Sequence, residues 1–107
     1  MTHKLNKYGL RQKDMDYMIN LFSQFSEIEK VKVFGSRATG SFKDGSDIDL
    51  AILGKKLNSD IVKKIHYLLE EESPTLLWFD IINYNEINNE NLKLEIDNFG
   101  KIIYSIK

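Results

Sequence analysis

Hydrophobic and polar residues follow helical spacing in some parts of the chain and strand spacing in others. In residues 11–25 the apolar side chains recur every three or four positions, which predicts an amphipathic helix. Residues 31–34 and 47–53 are short runs rich in apolar and β-branched residues. Such runs are typical of strands, and the glycine that follows each of them indicates where the strand ends.

The second half of the chain continues the mixture of helices and strands. Residues 58–60 are capping residues, and the apolar stripe that follows them predicts a helix that stops before a proline. Residues 76–83 are apolar on both faces, which predicts a buried strand. Helical spacing returns in residues 88–98, and residues 101–106 predict a short final strand.

Composition and charge narrow the class of protein. The chain has 107 residues, which predicts a single domain over residues 1–107. The formal net charge of −1 argues against a protein that binds nucleic acid through a basic surface. There is no cysteine and there are two histidines, so thiolate sites are excluded and a histidine-based site is not expected. We see no signal peptide or membrane span and expect a cytoplasmic protein.

Three aspartates form a candidate metal site. Asp47 and Asp49 are two residues apart on a predicted strand, so their side chains project from the same face. Two like charges this close are unfavourable without a cation, and Mg²⁺ favours carboxylate oxygens together with substrate phosphates. Asp80 interrupts the apolar strand 76–83, where an unpaired charge is costly. Either it lies at a strand edge or beside a lysine, or it faces Asp47 and Asp49 and completes a two-metal site.

A glycine-serine pair provides a candidate phosphate site. Gly35 directly follows the predicted strand 31–34, and glycine allows close approach of the backbone to a ligand. Ser36 is a good helix N-cap, and the free N–H groups at the start of a helix suit a phosphate. Arg37 is a cation for that phosphate, a solvent-facing residue or a member of a structural ion pair. These three residues are the candidate nucleotide-binding residues.

The order and spacing of these motifs resemble one enzyme family. Phe34-Gly35-Ser36-Arg37-Ala38 and Ser46-Asp47-Ile48-Asp49-Leu50 are similar to the FGSRA and SDIDL signatures of minimal nucleotidyltransferases, the small members of the DNA polymerase β-like superfamily. Ten residues separate Ser36 from Asp47, as in that family's pattern, and Asp80 matches its third carboxylate. The residues before Asp80 depart from the family's Pro-aromatic-x-x-Val lead. The resemblance implies an α+β fold of two layers, with a small mixed sheet flanked by helices.

The resemblance also implies a reaction and a partner. Members of the family transfer a nucleoside monophosphate, most often AMP from ATP, and release pyrophosphate. By resemblance, Asp47, Asp49 and Asp80 hold two Mg²⁺ ions and are the catalytic residues, while Gly35, Ser36 and Arg37 bind the nucleotide. Minimal nucleotidyltransferases resemble the antitoxins of two-gene modules, whose partner is a helical HEPN toxin that receives AMP on a tyrosine.

Three functions remain open at the level of the sequence. The first is an adenylyltransferase that modifies a HEPN partner and forms a hetero-oligomer with it, or acts as a homo-oligomer. The second is a non-catalytic antitoxin or nucleotide-binding subunit that acts by binding its partner. The third is transfer to a small molecule such as an aminoglycoside, although such enzymes usually carry a further helical domain. The intact set of motif residues favours the first function.

Overall fold

Four strands and four helices form the described part of the molecule. The computed structural model describes residues 5–106, and its elements in chain order are α1 (Gln12–Ser23), β1 (Lys30–Phe34), α2 (Ser36–Thr39), β2 (Ile48–Leu53), α3 (Ser59–Glu71), β3 (Phe79–Asn83), a short 3-10 turn (Tyr84–Glu86), α4 (Glu90–Phe99) and β4 (Lys101–Ser105). The strands form one sheet in the order β3-β2-β1-β4. β1 is antiparallel to β2 and β4, whereas β2 is parallel to β3. The predicted α+β class with a small mixed sheet is confirmed.

The chain ends are not part of this description. Residues 1–4 and 107 lie outside the described residues, so the predictions for the N-terminal segment and for a domain spanning residues 1–107 stay predictions. None of the helices within residues 5–106 combines the length and the apolar character that crossing a membrane requires.

The two faces of the sheet bury hydrophobic clusters of unequal size. On one face, Leu50 and Ile52 of β2 belong to a large cluster with side chains of α1 and α3. On the other face, Ala51 packs with Phe34 of β1 and Ile96 of α4. Successive side chains of β2 therefore alternate between the two faces, and the strand predicted over residues 47–53 is confirmed from Ile48 to Leu53. Full burial of an isoleucine or leucine contributes about 1.5–3 kcal/mol, so the larger cluster supplies most of the hydrophobic stabilisation.

Side-chain caps begin the two longer helices of the second half. The Asn58 side chain accepts a hydrogen bond from the Ile61 N–H at 2.9 Å, and Asn89 accepts one from Leu92 at 3.2 Å. Each satisfies one of the N–H groups that the first turn of a helix leaves unpaired. The predicted helix starts near residues 58 and 88 are confirmed.

The short helix α2 begins one residue earlier than the sequence predicts. Ser36 is its first residue, and Gly35 is the N-cap with φ +71°. The prediction that Ser36 is the N-cap is therefore wrong by one position. The cause is the positive φ of Gly35, which turns the chain from β1 directly into helical geometry and which other residues adopt only at a cost.

The predicted buried strand over residues 76–83 is shorter and less buried than expected. It begins at Phe79, and the Leu76 and Trp78 side chains are 97% and 67% exposed. Before it, the Leu77 N–H donates to the Thr75 hydroxyl oxygen at 3.2 Å, so a side-chain turn replaces strand pairing there. β3 is also an edge strand, with β2 as its only neighbour in the sheet of the described residues. Trp78, which lies within the run predicted to be buried, is therefore not a core residue.

Candidate active site

Gly35 brings the turn after β1 into contact with the Asp49 side chain. A Cβ atom at position 35 would lie 2.5 Å from the Asp49 Oδ2 atom. The positive φ already favours glycine, and this contact leaves no room for any larger residue. The candidate phosphate turn and the candidate metal carboxylate are thus adjacent, as the sequence predicts.

The register of the sheet places Asp80 beside Asp49. In the antiparallel pair of β1 and β2, Asp49 lies opposite Phe34, the residue before Gly35. In the parallel pair of β2 and β3, Asp49 lies opposite Asp80. Residues paired across neighbouring strands lie on the same face, with strands about 4.8 Å apart. Asp47 lies immediately before β2 and is exposed. The structure therefore brings Asp49 and Asp80 together, with Asp47 at the start of the same strand.

Asp80 differs from its prediction in burial. Its side chain is exposed because β3 is the edge of the sheet, so the expected cost of a buried charge does not arise. The strand-edge alternative is correct, and so is the expectation that Asp80 lies near Asp49. An exposed carboxylate at the open edge of the site is accessible to an acceptor from solution.

Partial burial and neighbouring carboxylates together raise the pKa of Asp49. Its pKa is raised to about 6, first by partial burial and then by repulsion from Asp80, Asp47 and Glu95, while Arg37 opposes the shift. Each of these carboxylates makes the ionised form of Asp49 less favourable. A divalent cation between them would reverse this effect, because it neutralises the charge that the side chains cannot neutralise by themselves.

The acidic groups do not form a complete metal cage. Within residues 5–106 no set of three histidine or acidic side chains is positioned to enclose an ion. Mg²⁺ tolerates such an open arrangement, since it is usually held by one or two carboxylates, water and substrate phosphates. Asp47, Asp49 and Asp80 are therefore candidate Mg²⁺ ligands only together with a nucleotide, and they do not fit a metal that needs a full protein cage.

Arg37 occupies a structural position. The side chain is buried, and its guanidinium donates to the Tyr8 carbonyl at 2.9 Å and to the Ser46 carbonyl at 2.7 Å. It also lies over the Phe42 ring, 4.9 Å from the ring centre. Burial lowers the pKa of Arg37, while Asp44, Asp47 and Asp49 raise it. These contacts argue against the predicted role of Arg37 as a phosphate-binding cation and indicate that it holds the loop that leads to Asp47.

The role of Ser36 in binding a phosphate stays a prediction. It is half-buried at the first position of α2, and the N–H groups of Ala38 and Thr39 donate to the Gly35 carbonyl at 3.1 and 3.2 Å. The chain therefore closes a helical turn directly after Gly35. The first N–H groups of such a turn have no partner within the helix, which is the property that suits a phosphate.

Glu95 is the residue near the site that sequence reasoning missed. It is exposed on α4, next to the buried Ile96, and its charge contributes to the raised pKa of Asp49. A glutamate on an amphipathic helix gives no signal of this kind, because its proximity to Asp49 depends on where α4 packs on the sheet. An open groove of about 420 Å³ lies elsewhere, between α3, β3 and α4, and is lined by residues such as Val62, Ile81 and Leu92. It contains none of the three aspartates.

Comparison with known proteins adds an independent line of evidence. The model of the polymerase β nucleotidyltransferase family matches residues 17–107. A chain of a toxin–antitoxin complex with AMP-PNP superposes with a TM-score of 0.72 at 19% identity, covering 88% of this chain and 75% of that one. A chain of the MntA–HepT toxin–antitoxin complex gives 0.67 at 18% identity, covering 89% and 73%. The search of curated proteins gives no match.

A further solved structure has the same fold. It is the complex of a tri-AMPylated Shewanella oneidensis HEPN toxin with an MNT antitoxin, with a TM-score of 0.66 at 18% identity, covering 88% of this chain and 71% of that chain. Identities this low show the common fold alone. The family match is broader evidence, because it spans most of the chain and includes Gly35, Ser36 and the three aspartates. The chain belongs to the polymerase β nucleotidyltransferase family.

Proposed function

We propose that this chain is a Mg²⁺-dependent protein adenylyltransferase that transfers AMP from ATP to a tyrosine of a helical HEPN partner and releases pyrophosphate. The observation that carries the proposal is the proximity of Gly35, which directly follows β1, to Asp49 on β2, together with the pairing of Asp49 with Asp80 on β3. ATP and Mg²⁺ are abundant in the cytoplasm, where we place the activity.

Each residue then has a role that its position supports. Gly35 and Ser36 bind the β- and γ-phosphates, which leave as pyrophosphate. Asp47 and Asp49 would hold Mg²⁺, and Asp80 would hold a second ion and take up the proton of the acceptor hydroxyl. Bound Mg²⁺ supplies charge neutralisation for the phosphoryl oxygens. The new bond joins the acceptor oxygen to the α-phosphorus, and the bond from that phosphorus to the leaving oxygen breaks.

The protein acceptor is supported by the shape of the site. Asp80 is exposed on an edge strand, and the aspartates lie outside the groove between α3, β3 and α4. An open edge admits a side chain that projects from a macromolecule. The AMPylated HEPN toxin in one structural neighbour offers a precedent for such an acceptor.

The proposal is tested by transfer of labelled AMP. The chain is co-expressed with a helical HEPN protein as the acceptor, and the purified complex is incubated with labelled ATP and Mg²⁺. We expect label on a tyrosine of the partner, and no label with the Asp47→Asn/Asp49→Asn variant. Equal labelling by both forms, or none by either, contradicts the proposal.

The alternative is a non-catalytic antitoxin, and one observation favours it. The described aspartates do not form a complete cage for an ion, so an inactive, purely binding site has the same appearance. In that case the Asp47→Asn/Asp49→Asn variant still protects cells from the toxic partner. Loss of protection in this variant, with the complex intact, removes the alternative.

A further inference from the structure

We propose that Arg37 is a positioning residue that fixes the backbone carrying Asp47, and that the segment before α1 supports it. This inference rests on the proposed function and deepens it, because it states how a candidate metal carboxylate is held in place. The supporting segment consists of residues 6–10, which we call the Tyr8 turn. It lies before residues 17–107, the part of the chain that the family model matches.

The backbone of Asp47 is held on both sides. The Ser46 carbonyl, which precedes it, accepts hydrogen bonds from the Arg37 Nε at 3.1 Å and the Arg37 Nη2 at 2.7 Å. The Ile48 N–H, which follows it, donates to the Trp78 carbonyl at 2.9 Å. Asp47 itself is exposed, so its place in the site depends on these two backbone anchors.

Arg37 also joins the loop before Asp47 to the candidate phosphate turn. It directly follows Ser36 on α2, and its guanidinium holds the Ser46 carbonyl. A planar guanidinium has donors in a fixed fork and can bind two carbonyls at once, which the single nitrogen of a lysine does not reproduce. The distance between the phosphate turn and Asp47 is therefore set through the Arg37 side chain.

The Tyr8 turn is the second support of the guanidinium. The Tyr8 carbonyl accepts a buried hydrogen bond from the Arg37 Nη1 at 2.9 Å. The Asn6 side chain closes the turn, since its Oδ1 accepts from the N–H groups of Tyr8 and Leu10 at 2.9 and 3.0 Å. Leu10 is buried in the larger hydrophobic cluster. The turn is thus anchored in the core and provides a fixed point against which Arg37 is held.

Burial makes this support necessary. Arg37 is only 3% exposed, and a buried cation without hydrogen-bond partners costs far more free energy than a paired one. The Phe42 ring covers the guanidinium, with its centre 4.9 Å away. Gly9 leaves room for this arrangement, because an added Cβ atom would overlap the Phe42 ring and lie 2.8 Å from the Arg37 Nη1. A larger residue at position 9 must therefore displace the ring or the guanidinium.

The first experiment compares Gly9→Ala with Gly40→Ala in metal-free protein. Both glycines have a positive φ, +73° and +87°, but an added Cβ atom at position 40 meets no atom within 4 Å. We expect Gly9→Ala to shift the backbone amide resonance of Asp47 in ¹H–¹⁵N spectra. Gly40→Ala, which is closer in sequence, should leave that resonance in place. Equal shifts in the two variants, or none in either, overturn the inference.

Binding of AMP-PNP tests Arg37 itself. Arg37→Lys keeps the charge but lacks the planar fork. The Mg²⁺ concentration for half-maximal AMP-PNP binding should therefore rise by about 10- to 100-fold, the range for residues that orient a metal ligand. Gly9→Ala should raise it as well, and Gly40→Ala should not. If Arg37 only stabilises the fold, Arg37→Lys lowers the denaturation midpoint and leaves the Mg²⁺ dependence of the folded molecules unchanged, which overturns the inference.

Transfer of labelled AMP separates this inference from the proposed function. If Arg37→Lys and Gly9→Ala weaken Mg²⁺-dependent binding of AMP-PNP but wild type labels no HEPN protein, only the proposed function fails. If wild type transfers AMP and Arg37→Lys transfers it equally well at limiting Mg²⁺, the positioning role of Arg37 fails and the proposed function stands.

Discussion

Two neighbouring regions on one face of the sheet have opposite properties. Ala51 and Asp49 are two residues apart on β2 and project to the same side, yet Ala51 is fully buried against Ile96 of α4 and Asp49 is only half-buried. The first region is covered by a helix, and the second lies beyond it with Asp80. The difference teaches that one strand can be packed against a helix along one part while the adjacent part leaves its carboxylate open to solvent.

The largest expected effect is on the open region. Asp47→Asn/Asp49→Asn should lower AMP transfer by about 10³-fold or more, because loss of even one preorganised electrostatic group typically costs roughly 10²- to 10³-fold. The free energy of unfolding should not fall, since the substitution removes repulsion from Asp80. The check is single-turnover transfer alongside urea denaturation. Loss of stability together with activity would show that the aspartates are structural.

The next effect is on the covered region. Ile96→Ala should lower the free energy of unfolding by about 2–5 kcal/mol, because the side chain is fully buried and leaves a cavity. The control is Leu94→Ala on the same helix, which is 53% exposed and should stay within about 0.5 kcal/mol of wild type. Transfer per folded molecule should be unchanged in both. A catalytic defect in folded Ile96→Ala protein would mean that the two regions are not separate.

The boundary of the open region can be probed at Gly35. Gly35→Ala should reduce transfer by about 10²-fold, since a Cβ atom 2.5 Å from the Asp49 Oδ2 atom must displace the carboxylate. Gly45→Ala is the matched control, because Gly45 also has a positive φ of +83° but no atom within 4 Å of an added Cβ. Gly45→Ala should therefore introduce the same kind of backbone strain but leave the rate of AMP transfer unchanged. Similar rates for the two variants would contradict the assigned contact.

The smallest effect is a pH dependence that belongs to Asp49. Its pKa is raised from 3.8 to about 6 in the folded protein, so folding favours the protonated form. The metal-free protein should lose stability as the pH rises from about 4 to 6, because the unfolded chain releases this proton first. Asp49→Asn should flatten the curve in this window. Denaturation midpoints of wild type and variant at several pH values measure this dependence. If stability falls with pH equally in both proteins, the raised pKa does not belong to Asp49.

The sequence predicts those features of the fold that depend on local pattern. The alternation in β2 places Leu50 and Ile52 on the larger core face and Asp49 on the opposite face, whereas Asp47 lies just outside the strand. The capping residues 58–60 marked the start of α3, and helical spacing located α4, whose Asn89 cap the structure reveals. The length of β3 was overestimated because an apolar run looks the same whether it is buried or at an edge. Leu76 and Trp78 became exposed through a turn that hydroxyl side chains stabilise.

The sequence predicts the position of a site residue where the spacing of residues along the chain determines it. It does not do so where packing between distant segments determines the position. The family resemblance implied that Gly35 and Asp49 serve one nucleotide site, and the pairing of Phe34 with Asp49 explains why they lie close together. The burial of Arg37 depends on the Tyr8 carbonyl, which belongs to a distant segment of the chain. The proximity of Glu95 depends on the position of α4. Neither long-range contact has a signal in the local sequence.

The most direct test of the account is calorimetric titration of the chain with AMP-PNP in the presence and absence of Mg²⁺. The central claim is that Gly35, Asp49 and Asp80 form one site for a metal-bound nucleotide. We predict that AMP-PNP binds wild type only with Mg²⁺, and that Asp47→Asn/Asp49→Asn does not bind it under either condition. Equal affinity with and without Mg²⁺, or equal affinity of wild type and the double variant, would contradict that claim.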